Sequence, residues 1–109
     1  MSKHGNAHLN DKPHHLYKIS DKEENDIFKY GISADPLEKD GLSKRAREQR
    51  DYLNLAVGWL RYFVEILIHN IPGRIQAEEI EDQYIEAYRH EYGRKPRGNR
   101  KKTKAERLK

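Results

Sequence analysis

The sequence predicts an α+β domain of the α/β sandwich-like kind, a small three-stranded antiparallel sheet flanked by helices in the order β-β-α-β-α. Three observations predict it. Two segments rich in tyrosine, isoleucine and phenylalanine, HLYKIS and FKYGIS, stand on either side of the polar stretch DKEEN, as in a hairpin. A further run of the same kind, RYFVEILI, comes later. Two stretches whose apolar residues recur at helical spacing lie before and after that run. At 109 residues the chain is long enough for one domain with a modest core and too short for two. Only 35% of residues are hydrophobic against 37% charged, so the core must come from patterned positions, here between about Leu16 and Tyr92.

Residues 1–13 are polar, rich in Gly, Asn and His, and end in Pro13, which predicts an irregular or loosely docked arm. The first strand is expected over Leu16 to Ser20 and the second over Ile27 to Ser33, with Gly31 marking a bend or a close approach to the backbone. Asp35-Pro36 and Asp40-Gly41 make a loop of the next segment, and Ser43 is a natural N-cap for a helix running to about Val57. Ala46, Leu53, Ala56, Val57 and Leu60 share one side of that helix, and Gly58 is placed to end it. Arg61 to Ile68 is the third strand, with Tyr62, Val64, Ile66 and Ile68 on one face, and Asn70 to Gly73 reads as a turn. Arg74 to about Tyr92 is the second helix, closed by Gly93.

Charge is unevenly placed. Residues 94–109 carry nine Lys/Arg against the single acid Glu106, a net of +8, so residues 1–93 hold a net of −4. Such a run, with residues 100–109 as a basic tail, reads as a solvated end that attracts polyanions. Arg94, Lys95, Arg97, Arg100, Lys101, Lys102 and Lys104 are its candidate nucleic-acid contacts. With no cysteine, disulfides, thiolate metal sites and a cysteine nucleophile are excluded, and any chemistry uses oxygen, nitrogen or hydroxyl groups. No apolar run approaches the ~20 residues of a membrane span, and the first residues lack the apolar stretch of a signal peptide. Export, if it occurs, is expected to use another route.

One residue of the second helix breaks its pattern. With Ala77 taken as origin, Tyr84, Tyr88, Ile85 and Ile80 define the buried arc, and Glu81 falls at about 40°, inside it. Glu79, Asp82 and Glu86 fall on the opposite side, and Glu78 at the edge. A carboxylate on a packing face costs several kcal/mol unless it is paired or holds a cation. Glu81 therefore pairs with an arginine of the first helix, or binds a metal or acts in catalysis. On the first helix Arg45 flanks the apolar stripe beside Tyr52, placed to reach a cleft, although most helix arginines are merely solvated. Tyr17 and Tyr30 lie on neighbouring strands, as a cross-strand aromatic pair or as site phenols, and a phenol of ordinary pKa near 10 needs a cation to act as a base. The six histidines show no helix-fixed pair with an adjacent acid, so zinc is not expected.

Taken together these residues resemble a GIY-YIG nuclease domain. His15-Leu16-Tyr17 stands at the first motif and Tyr30-Gly31-Ile32-Ser33 at the second, with Lys29 two residues before Gly31. Arg45 through Gln49 resembles the Arg-xxx-His element with glutamine in the last place, Glu81 with Tyr84-Ile85 resembles E-x-x-[LY]-I, and Gly98-Asn99 resembles the closing asparagine. The likeness runs from Leu16 to Asn99, within a nuclease-like domain expected over residues 14–99. Its strings KHGNAH, HLYKIS, KYGIS, VGWLRYF and GRIQAEEIE look like the URI-type GIY-YIG toxins at the C-terminal ends of bacterial polymorphic toxins. The resemblance implies a DNA endonuclease with DNA favoured over RNA, holding one Mg²⁺ or Mn²⁺ on Glu81. Tyr17, Tyr30 and Arg45 are its implied catalytic partners, and Lys29, Gly31, Gln49 and Asn99 its supporting residues. It also implies a secreted effector acting in the cytoplasm of a target bacterium, neutralised by a cognate immunity protein, with no membrane role. The alternatives are an inactive nucleic-acid-binding module that uses the basic tail, and a protein-interaction domain whose tail meets an acidic partner.

Overall fold

A computed structural model of the chain describes residues 10–108. β1 (Pro13–Asp21), β2 (Asp26–Ser33) and β3 (Tyr62–Pro72) form one antiparallel sheet in the order β2-β1-β3, with α1 (Lys44–Val57) between β2 and β3, and α2 (Arg74–Tyr92) and the short α3 (Lys104–Arg107) after β3. The α+β prediction and its β-β-α-β-α order hold, with α3 added. No helix of the described residues is long and apolar enough to cross a membrane.

β1 is central, which is why nearly all of it is buried. Successive strand residues face opposite sides of a sheet. Tyr17 and Ile19 accordingly pack with Ala46 and Tyr62 on the α1 side, whereas Leu16 packs with Tyr30, Ile32, Ile71, Ala77, Ile85 and Tyr88 on the α2 side. The register of β1 on β2 shifts between Ile19 and Ser20, leaving Phe28 without a partner on β1. That bulge turns Phe28 toward the α1 side while Tyr30 goes to the α2 side. Tyr17 therefore faces Gly31, and Tyr30 faces Lys18: the two tyrosines are not a cross-strand pair.

Three expectations about local structure are corrected. Asn70 to Gly73 does not leave the sheet: Asn70 takes a positive φ of 53°, and Ile71 and Pro72 resume pairing with His14 and Pro13. Burial of Ile71 in the α2-side core is what draws the segment back. A second register shift, between Leu16 and Tyr17, sends Ile68 to the α2 side, away from Tyr62, Val64 and Ile66. On α1 only Ala46 and Leu53 of the predicted stripe pack inward; Ala56 and Val57 in its last turn are exposed, and Leu60 lies exposed beyond the Gly58 cap that ends the helix.

The helix ends behave as the sequence reads. Ser43 Oγ accepts from the Ala46 amide at 3.2 Å, and Gly58 and Gly93 close α1 and α2 in the left-handed conformation. α2 starts at Gly73 without a side-chain cap, and the carbonyl of Asn10 accepts the Arg74 amide at 2.7 Å. The end of the predicted arm is thus docked, while residues 1–9 lie outside the described part.

The basic segment is folded back, not a free end. Thr103 and Glu106 form a reciprocal capping box at the start of α3, and buried Thr103 donates from its hydroxyl to Glu86 at 2.8 Å. The Lys104 amide donates to Asp82. Farther back, Arg97 reaches fully buried Asp21 at 2.6 Å, where Arg61 already makes a two-pronged pair at 2.8 Å on each oxygen. These hydrogen bonds hold the Asp21 carboxyl far below the usual range. The Gly98 amide donates to the Phe28 carbonyl at 2.7 Å, and Asn99 brackets Tyr30, its Oδ1 accepting from the Tyr30 amide and its Nδ2 donating to the Tyr30 carbonyl. The segment thereby covers the edge of β2 that would otherwise expose unpaired backbone.

Candidate active site

Because β2 is an edge strand, side chains from both faces of the sheet can meet beyond it. They do so in a cleft of about 370 Å³ lined by Tyr17 from β1, Lys29 and Gly31 from β2, Arg45 from α1, and Arg74, Glu78, Glu81 and Asp82 from α2. The folded-back segment supplies the remaining wall with Asn99, Arg100, Lys101, Lys102 and Arg107.

Gly31 makes the arrangement possible. A Cβ at that position would lie 2.7 Å from Tyr17 Cε2 and nearer still to Cζ and the hydroxyl, so the tyrosine ring lies directly on the glycine backbone. The close approach expected at Gly31 is that ring. Fully buried along its length, Tyr17 donates its hydroxyl to Gln49 Oε1 at 2.7 Å, which fixes the ring to α1. Burial pushes its phenol up to about 12, Arg45 pulls the other way, and Glu81 and Asp35 add to the rise.

Arg45 sits in the first turn of α1, placed by two contacts. Its amide donates to Asp35 at 3.1 Å, and the Ser43 cap just before it is held by His15 Nε2 at 2.9 Å. His15, at the position where the first motif departs from glycine, thus anchors the helix that carries Arg45. Burial and the Asp35 carboxylate act oppositely on this imidazole, and burial prevails, lowering its pKa.

Glu81 is half-buried and makes no hydrogen bond or ion pair among the described residues. The pairing to a first-helix arginine is therefore not what holds it. Burial pushes its carboxyl up to about 7; Arg74 and Lys29 pull it down, and Asp82 and Glu78 push it up further. Lys29 in turn is lowered by burial and by Arg45. A desolvated carboxylate without a hydrogen-bonding partner, at the wall of an open cleft, fits a hard divalent cation that keeps several waters. No cluster of three or more metal-binding side chains exists among the described residues.

Not every predicted site residue reaches the cleft. The Tyr30 ring packs edge-on against Tyr84 at 5.4 Å in the α2-side core, and only its backbone, held by Asn99, borders the site; Lys29 presents its side chain there instead. Gln49 touches Tyr17 from behind. Of the seven basic candidates, Arg100, Lys101 and Lys102 line the cleft. Arg94 is paired to Asp26 at 2.8 Å, Lys95 to Glu106 at 3.0 Å and Arg97 to Asp21, while Lys104 borders a separate groove between α3 and α2. Arg74, Glu78, Asp82 and Arg107 are site residues that the sequence reading missed. Arg74 had a signal, since on the α2 wheel it falls at about 60°, next to Glu81. Asp82 had none, because its wheel position faces outward and only the returning C-terminal segment encloses it.

A family model described as URI fold toxin 2 matches residues 7–93. The chain belongs to this family. The match takes in every strand, α1, α2, Tyr17, Arg45 and Glu81, and stops before Arg94, so the basic wall of the cleft lies outside it. This chain is thus a URI-type toxin domain. No curated protein and no solved structure matches it.

Proposed function

We propose that the toxin domain is a metal-dependent endonuclease that hydrolyses phosphodiester bonds of DNA, and that it acts as an antibacterial effector in the cytoplasm of a target bacterium. The observation that carries this reading is the meeting, in one cleft, of a desolvated carboxylate, a buried phenol and an arginine beneath a wall of cations. The cations Arg74, Arg100, Lys101, Lys102 and Arg107 in the cleft wall support a polyanionic substrate held by its phosphates, with little sequence preference. Membership of a toxin family supports the effector role and, with it, a cognate immunity protein as partner.

Glu81 would hold the Mg²⁺ or Mn²⁺, which when bound supplies positive charge to the phosphoryl oxygens and to the departing oxygen. Tyr17, its hydroxyl proton committed to Gln49, offers its oxygen lone pairs to the attacking water and orients it. A phenol pushed up to about 12 stays protonated at neutral pH, and in that form it orients this water; only as the phenolate, which nearby positive charge favours by lowering the phenol pKa, does it take the water's proton. Arg45 carries a planar fork for the non-bridging oxygens as charge builds on them. Lys29, with its charge disfavoured by burial and by Arg45, is suited to give a proton to the leaving oxygen. The test is the chemistry of the ends: an end-labelled duplex incubated with the protein and Mg²⁺ should give 5′-phosphate and 3′-hydroxyl products that a ligase reseals. Ends with a 3′-phosphate would overturn this mechanism.

A further inference from the structure

Beside the cleft, and joined to it, lies a second cavity of about 480 Å³ walled by Ile19, Phe28, Tyr52 and Leu53. The two share Lys29, Arg45, Gly98 and Arg100, so the cations that face the cut phosphate in the first also rim the second. We propose that this chamber receives one unpaired nucleobase next to the phosphodiester that is cut, with the Tyr52 ring as its stacking surface; this rests on the nuclease reading above.

Ile19, Phe28 and Leu53 give the chamber an apolar inner wall, and Lys29, Arg45, Arg100 and the acid Glu48 stand around it. Phe28 forms its floor, held by an edge contact to Tyr62 at 5.3 Å and by the Arg97 guanidinium 5.5 Å from its ring centre. Gly98 lets the returning chain lie directly on the Phe28 ring between the two cavities: a Cβ there would lie 2.6 Å from Phe28 Cε2 and 3.0 Å from Lys29 Cβ. Tyr52 is 74% exposed, an aromatic ring left in water at the rim of a cationic cavity. Phenols and indoles so placed beside a backbone-binding groove stack on bases of any sequence. Gln49 supplies the polar contact: its carbonyl oxygen accepts from Tyr17, which leaves its amide nitrogen as a donor to the ring acceptors of a base. The same amide thus ties base docking to the position of the site phenol. A base inside a duplex cannot enter such a chamber without leaving its stack, so the preferred substrate is single-stranded or locally unpaired.

The proposal is tested by binding in EDTA, separately from turnover. Fluorescence anisotropy at fixed salt compares a labelled single-stranded oligonucleotide with a strand of equal length built wholly of abasic residues, whose phosphate charge is the same. The wild type should bind the base-bearing strand roughly 5- to 150-fold more tightly, the range expected for stacking a base on an aromatic ring. Tyr52→Ala should lose that discrimination while keeping its affinity for the abasic strand, and Tyr52→Phe should retain it. Equal binding of the two strands by the wild type, or equal weakening of both by Tyr52→Ala, would overturn the chamber and leave the exposed face of α1 to a protein partner. Absence of cleavage in Mg²⁺ or Mn²⁺ would overturn the nuclease reading alone, since base discrimination is read without metal.

Discussion

Gly31→Ala is the smallest change that reaches the heart of the cleft. The added methyl would sit 2.7 Å from Tyr17 Cε2, against an optimal carbon–carbon separation of about 3.5–4.0 Å. The ring must therefore move by about 1 Å, and it cannot move freely because it is buried and hydrogen-bonded to Gln49. Overpacking of this kind costs about 1–3 kcal/mol, offset in part by the roughly 0.5–1 kcal/mol that replacing a strand glycine returns. The net loss of about 1–2 kcal/mol should lower the melting temperature by roughly 5–10 °C. A displacement of about 1 Å of a reacting group can cost about 100-fold in rate. Thermal melting by circular dichroism and plasmid cleavage at a temperature where both proteins are folded measure the two effects. A variant that melts and cleaves like the wild type would refute the placing of Tyr17 on Gly31.

Burial raises the folded Glu81 carboxyl to about 7 from an ordinary 4.5, so the folded state holds its proton more tightly than the unfolded chain and stability falls as pH rises between those values. Glu81→Gln should therefore melt above the wild type at pH 8 and converge with it at pH 4, and wild-type cleavage should rise through the same window as the carboxylate ionises. Asp21 is the opposite case: its pKa is depressed, so its contribution is present at neutral pH and is lost as pH falls below about 4. Asp21→Ala strands Arg61 and Arg97 and should cost about 3 kcal/mol at pH 7, the low end for a broken buried pair because Arg97 reaches solvent, read as a fall of roughly 10–15 °C in melting temperature. Removing residues 100–109 takes Arg100, Lys101, Lys102 and Arg107 from the cleft wall; affinity for DNA should drop and the slope of log affinity against log salt should flatten by about 0.9 for each phosphate no longer neutralised, with some cleavage retained.

The strands, both long helices and their caps were legible because each rests on local chemistry: alternating apolar residues, Ser43 as an N-cap, Gly58 and Gly93 as left-handed ends. Glu81 was legible from the helical wheel alone, as a charge in an apolar arc. The bulge at Phe28 was not, and it decides that Lys29, not the Tyr30 ring, enters the cleft. Register shifts depend on pairing across strands, which a one-dimensional pattern does not carry. The folded C-terminal segment was half legible. Its charge dominated the reading, yet Thr103 followed three residues later by Glu106 is a capping-box signature, and it marks the helix that docks on Glu86 and Asp82. That docking turns an expected free tail into one wall of the site.

The most direct test of the account is conversion of supercoiled plasmid by the wild type and by Glu81→Gln, each with Mg²⁺ and with excess EDTA. The account predicts nicked and linear product from the wild type with Mg²⁺ alone, and a Glu81→Gln protein that is folded, binds the plasmid and leaves it intact. Cleavage by Glu81→Gln at the wild-type rate, cleavage in EDTA, or retarded but uncut plasmid in every lane would contradict it.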